Sequence, residues 1–130
     1  MLVYLGVPYT PKSKSNEIGL SKPDQSDWEL EIKIDRFQRV NKVAAKLQAQ
    51  GITIISPITQ NHLLHIDHGL DGDFEFWQQH NFTMLNRCDV LFVLMLPGWI
   101  DSDGLQGEIA FAKQKGMPII YIDEDLKIGG

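Results

Sequence analysis

The chain has 130 residues, 43% of them hydrophobic and 22% charged, which is the size of one domain. A chain this long buries about 68% of the surface its unfolded form exposes, so it folds without a staple of disulfides or metal. The 12 basic and 17 acidic residues leave a net charge of -5, and the basic ones are scattered. Nucleic acid is therefore not expected as a partner, because binding phosphate backbones takes clustered Lys and Arg. No apolar run approaches 18 residues, so no membrane span is expected. The single cysteine, Cys88, excludes an internal disulfide and fits a reducing compartment. A strand-like pattern starting at Leu2 leaves no room for a signal peptide. The expected location is cytoplasmic.

Leu2 to Leu5 reads as a short strand, stopped by Gly6 and Pro8. Thr10 to Asp27 is rich in Ser, Lys, Pro and Asn, and residues 10–34 are expected to form a long loop or flap. From about Asp35 the period becomes helical: Phe37, Val40, Ala44 and Leu47 share a face, and Gly51 can cap it. Ile52 to Ile55 is β-branched and bounded by Gly51 and Pro57, hence a second strand. Residues 56–72 are expected to be irregular. Asp73 to Asn86 is a second helix, with Phe74, Trp77, Met84 and Leu85 near one face. Asp89 to Leu96 is the most apolar segment and does not alternate, as in a strand buried on both faces of a parallel sheet. Leu105 to Gln114 is a third helix, and Pro118 to Ile122 a fourth strand. Asp123 to Gly130 is a frayed tail or a short extra element.

Repeated strand–helix alternation predicts an α/β fold: a flavodoxin-like three-layer sandwich whose parallel sheet has four strands in the order 2-1-3-4, or five if the tail adds one. The chain is expected to be a single domain, 1–130. Ligands of such sheets bind beyond the carboxyl ends of the strands, where the strand order reverses. That rule selects the loops at Gly6–Tyr9, Ser56 onward and Pro97–Glu108. In the last of these, Ser102 sits where a helix cap would sit, so its hydroxyl either caps the helix or binds a phosphate. Gly104 and Gly107 admit close approach of a ligand to the backbone. Glu108 follows on the first turns of the helix, where a solvated acid is the plain alternative to a catalytic one.

These residues also carry a resemblance. Tyr4-Leu5-Gly6-Val7-Pro8-Tyr9, Cys88-Asp89-Val90 before an apolar strand, and Ser102-Asp103-Gly104 with Glu108 six residues after the serine together resemble the nucleoside 2-deoxyribosyltransferase-like superfamily. The pair Gly98-Trp99 ahead of the serine is similar to a compact bacterial and phage branch of it. The resemblance covers nearly the whole chain outside residues 10–34.

The resemblance implies cleavage or transfer at the N-glycosidic bond of a nucleotide or nucleoside. It makes Glu108 the nucleophile toward the anomeric carbon and Tyr4 the residue that holds it. Gly6, Pro8, Tyr9, Asp89, Gly98, Trp99, Ser102 and Gly104 become ligand-binding positions. No cofactor is needed for this chemistry, and a homo-oligomer, a dimer or larger, is expected. The family's usual aspartate eight residues before Asp89 is here Asn81, which can face a base but cannot give it a proton. A serine at position 102, rather than an aspartate, favours a nucleoside monophosphate: a carboxylate about 4 Å from a phosphate costs roughly 4 kcal/mol at an effective dielectric near 20. Lys12 or Lys14 would be its basic partner. The alternative class is a binding or sensing module with an impaired site.

His62, His65 and His68 form the most metal-like cluster, but residues at 0, 3 and 6 span about 240° of a helix and converge only if the segment is irregular, and no metal is expected. One of these histidines could instead meet the base or sugar.

Overall fold

The computed structural model describes residues 1–11 and 22–129. Among them are five strands and four helices: β1 (Leu2–Gly6), α1 (Lys22–Ala49), β2 (Thr53–Ile55), α2 (Pro57–Ile66), α3 (Phe74–Leu85), β3 (Val90–Leu94), α4 (Asp103–Gln114), β4 (Ile119–Ile122) and β5 (Ile128–Gly129). The sheet order is β2-β1-β3-β4-β5. The first four strands are parallel, with Tyr4 beside Ile55 on one flank and Leu91 on the other. The tail supplies the fifth strand. It pairs antiparallel with β4, as a tight return from Asp123 to Lys127 dictates.

Alternation along β1 sorts the core into two layers. Val3 and Leu5 pack with Val90, Phe92 and Leu94 against Val40, Val43, Ala44 and Leu47 of α1. Tyr4 points the other way and packs with Leu91, Val93, Leu85, Leu105, Ile109 and Ala112 beneath α3 and α4. All five residues of β3 are buried, as expected for a central parallel strand covered on both faces.

Two segments read as loops are helical. Residues 22–34 belong to α1, which runs unbroken from Lys22, with Pro23 in its first turn, where the missing N–H costs little. Glu29–Lys33 and Asp35–Arg39 pairs, each one turn apart, brace it. Residues 57–66 form α2, with Ser56 at the cap position and Pro57 opening the helix. The expected apolar face of α3 is buried unevenly: Leu85 is buried, Trp77 and Met84 are half-buried, and Phe74 is 53% exposed. No helix of the described residues is long and apolar enough to cross a membrane.

Candidate active site

The carboxyl end of β1, with α1, α2, α3 and α4 around it, lines a cavity of about 460 Å³. This is the reversal point of the strand order. Gly6, Tyr9, Asn81, Ser102, Gly104 and Glu108 line it, and so do Lys33, Asn61, His62 and Gln78.

Glu108 is the least ordinary of these. It lies in the second turn of α4, is only 6% exposed, and accepts a hydrogen bond from the hydroxyl of the fully buried Tyr4. Among the described residues no cation pairs with it. Burying a carboxylate without one penalises its charged form, and desolvation pushes Glu108 up to about 8, against the pull of the Tyr4 hydrogen bond. Burial and the neighbouring Glu108 push the Tyr4 phenol well above its ordinary range, so its proton stays in place to be donated. A buried acid facing a cavity, with a value near neutral pH, fits an acid–base or nucleophilic role better than a structural one.

The backbone at Gly6 leaves room for this pair. A Cβ there would stand 3.3 Å from Glu108 Oε1 and 3.0 Å from Leu105 Cδ1. Ser102 does cap α4: its Oγ accepts from Leu105 N–H at 3.3 Å, while its own proton remains to be given to a ligand. Asn81 lines the cavity from α3, and its Oδ1 is buried without a hydrogen-bond partner.

The opposite wall comes from Tyr9 after β1, from α1, whose part before Asp35 is expected from sequence as a loop, and from α2, expected as irregular. Tyr9 Oη and His62 Nδ1 are 2.6 Å apart, and the His62 ring stacks on Phe37 with centroids 4.1 Å apart. Burial, reinforced by His65, holds the His62 imidazole below its ordinary range, and it is neutral. Lys33 of α1 sets its ammonium 5.4 Å from the centroid of the Tyr9 ring. The Ser56-Pro57 pair was the available signal for α2, and thus for Asn61 and His62. Lys33 had no comparable signal.

Four expected site residues lie elsewhere. Asp89 sits at the amino end of β3, where its carboxylate accepts from Leu2 N–H at 2.6 Å. That is the far end of the sheet, about 13 Å of strand from Gly6. Pro8 is buried but does not line the cavity. Trp99 packs toward Tyr121, with ring centroids 5.6 Å apart, rather than toward the cavity. Gly98 is architectural. Its φ is +90°, and a Cβ there would come within 2.8 Å of Arg36 Nη2. The buried Arg36 donates to the Tyr9 carbonyl at 2.9 Å and to the Pro97 carbonyl at 3.1 Å, tying the loops after β1 and β3 to α1. Lys12 and Lys14 lie outside the described residues.

The three histidines part company. His62 is buried in the wall, His65 pairs with Asp71 at 3.2 Å, and His68 is exposed. No group of three metal-type ligands occurs among the described residues. Cys88 donates to the Met84 carbonyl, and burial pushes its thiol up to about 11, so it is not a reactive thiolate.

A family model described as Domain of unknown function (DUF1937) matches residues 1–124, and the chain belongs to that family. No curated protein matches it.

Proposed function

We propose that this DUF1937 domain cleaves or transfers at the N-glycosidic bond of a nucleotide, a nucleoside monophosphate in preference to a nucleoside, with Glu108 as nucleophile. The observation that carries this reading is the buried Tyr4–Glu108 hydrogen bond at the wall of a cavity above β1 and β3. The resemblance to the nucleoside 2-deoxyribosyltransferase-like superfamily places its nucleophile and orienting tyrosine at these two residues.

In the first step the Glu108 carboxylate bonds to the anomeric carbon. The carbon–nitrogen bond breaks, and its electron pair leaves with the base, which takes a proton from water. In the second step water, or a second base, attacks the same carbon and loses its proton, and Glu108 is released. Tyr4 donates to Oε2, so the lone pairs of Oε1 stay directed at the substrate side near Gly6. Ser102 and the amides opening α4 suit a phosphate. Asn81 offers a hydrogen bond to the base but no proton. A cavity of this volume lies within the range that small-molecule sites occupy.

One observation favours a second reading, a module that binds a nucleotide without turning it over. Asn81 removes the acid at the leaving-group step, and general acid help is worth about 10²–10⁴-fold. Incubation with ribo- and deoxyribonucleoside monophosphates separates the two. Free base that disappears in Glu108→Ala supports the enzyme. Saturable binding with no free base supports the sensor and overturns the enzyme.

A further inference from the structure

We propose that Lys33 is the residue that recognises an anionic group of the ligand, the phosphate monoester of a nucleotide, and so makes the cavity prefer nucleotides to nucleosides. The proposal deepens the glycosidic reading by taking its ligand class, but it concerns binding and stands on different residues.

The argument begins with charge. The described cavity lining includes one lysine, Lys33, and no arginine. A phosphate dianion entering such a space is favoured by a fixed positive charge beside it. His62 cannot supply that charge, because burial keeps it neutral. Arg36 is already turned to the Tyr9 and Pro97 carbonyls.

Lys33 is also held in an unusual way. Its side chain is only 14% exposed. A surface lysine normally keeps its ammonium in water. Here the ion pair with Glu29, one turn earlier, spans 3.8 Å, and Glu29 is itself 38% exposed. So long and half-exposed a pair holds the ammonium only weakly and leaves it able to take another anion. The other contact is the face of the Tyr9 ring. That ring is fixed in turn: Tyr9 bonds to His62, and His62 stacks on Phe37. Phe37 is four residues after Lys33 on α1, so the two share one face of the helix. A chain of contacts from Lys33 to Tyr9 to His62 to Phe37 thus holds Lys33 at the cavity wall. An incoming phosphate can pair with its ammonium there.

The test is the dissociation constant, by titration calorimetry, of common ribo- and deoxyribonucleoside 5′-monophosphates and of the matching nucleosides, on the full chain. The wild type is expected to bind at least one monophosphate tenfold or more tighter than its nucleoside. K33A is expected to bring that ratio below about threefold, with the nucleoside constant unchanged, and K33R to retain most of the preference. A preference that survives K33A overturns the proposal. So does equal binding of the pair by the wild type, or absence of monophosphate binding across the panel. The glycosidic reading fails separately: a Lys33-dependent preference without base release leaves the anion site standing, and base release without the preference does the reverse.

Discussion

The hydroxyl of Tyr4 and the carboxyl of Glu108 meet across 104 residues of sequence, in a place where neither touches bulk water. The sheet puts Tyr4 on the α4 face of β1, and the Ser102 cap fixes the start of α4 so that its second turn comes down over that face. The result is an acid with a hydrogen bond, no cation among the described residues, and an open cavity beside it. Such a group is expensive to ionise, and its titration links folding to function.

Glu108→Gln should therefore stabilise the protein in mild alkali. Burial raises the folded-state value of Glu108 from 4.5 to about 8. The folded protein holds that proton more tightly than the unfolded chain does. The stabilising contribution is complete below pH 4.5 and is lost as pH rises through 8, at up to about 1.4 kcal/mol per pH unit. Glutamine carries no such charge and still accepts from Tyr4. Thermal melts should show the variant near wild type at pH 4.5 and clearly more stable at pH 8.5. Parallel curves at both pH values would show that the carboxyl titrates as an ordinary surface group.

The rate of base release should follow the ionised fraction of the same carboxyl. Attack requires the carboxylate, and about one tenth is ionised at pH 7 if the group titrates near 8. The profile of kcat/KM should climb about tenfold per pH unit on the acid side and level above 8. In Tyr4→Phe the hydrogen bond that pulls the value down is gone. The climb should move to higher pH, and the plateau should fall by about ten- to a hundredfold. A profile of unchanged shape in Tyr4→Phe would remove Tyr4 from its positioning role.

Asn81→Asp tests the leaving-group step. The amide oxygen is buried without a hydrogen-bond partner among the described residues, so burial favours the protonated form of a carboxyl placed there, as a general acid needs. Base release should rise at least tenfold in the variant at neutral pH. No change, with binding intact, would mean that the base leaves without help from α3.

The Arg36 clamp should be costly to break. Its guanidinium donates to two backbone carbonyls from a buried position, and charge-assisted bonds of this kind are worth about 1.5–3 kcal/mol each. Arg36→Met should lower stability by about 3 kcal/mol in denaturant melts. Gly98→Ala should lower it by about 1–3 kcal/mol through its positive φ and its approach to Arg36 Nη2. Because the two share a contact, the double variant should lose less than the sum. Strict additivity would contradict the shared clamp.

Much of the fold was legible because its signals are local. The apolar run at Val90–Leu94, the β-branched run ending at Ile55 and the cap at Ser102 each declare themselves within a few residues, and their order gives the sheet. Residues 28–34 misled for a physical reason. Trp28, Leu30, Ile32 and Ile34 alternate with charged residues, a period of two that masks a helix, and α1 leaves Leu30 and Ile34 about two-fifths exposed. The site divided along the same line. Tyr4, Ser102 and Glu108 sit on elements that were read correctly: Tyr4 bonds to Glu108, and Ser102 lines the same cavity as Glu108. Asp89, Gly98 and Trp99 sit in the right segments, but which end of a strand or which face a residue serves is set by long-range packing. Lys33 and His62 stand on helices that composition hid.

The most direct measurement of the central claim is the mass of the protein after incubation with 2′-fluoro-2′-deoxynucleoside monophosphates, whose fluorine slows both steps by destabilising the oxocarbenium-like transition state. A nucleophilic Glu108 predicts an added fluorosugar phosphate, released base in equal amount, and the added mass confined to the peptide that carries Glu108 and absent from Glu108→Gln. Base released with no adduct at any time point, or an adduct that persists in Glu108→Gln, would contradict it.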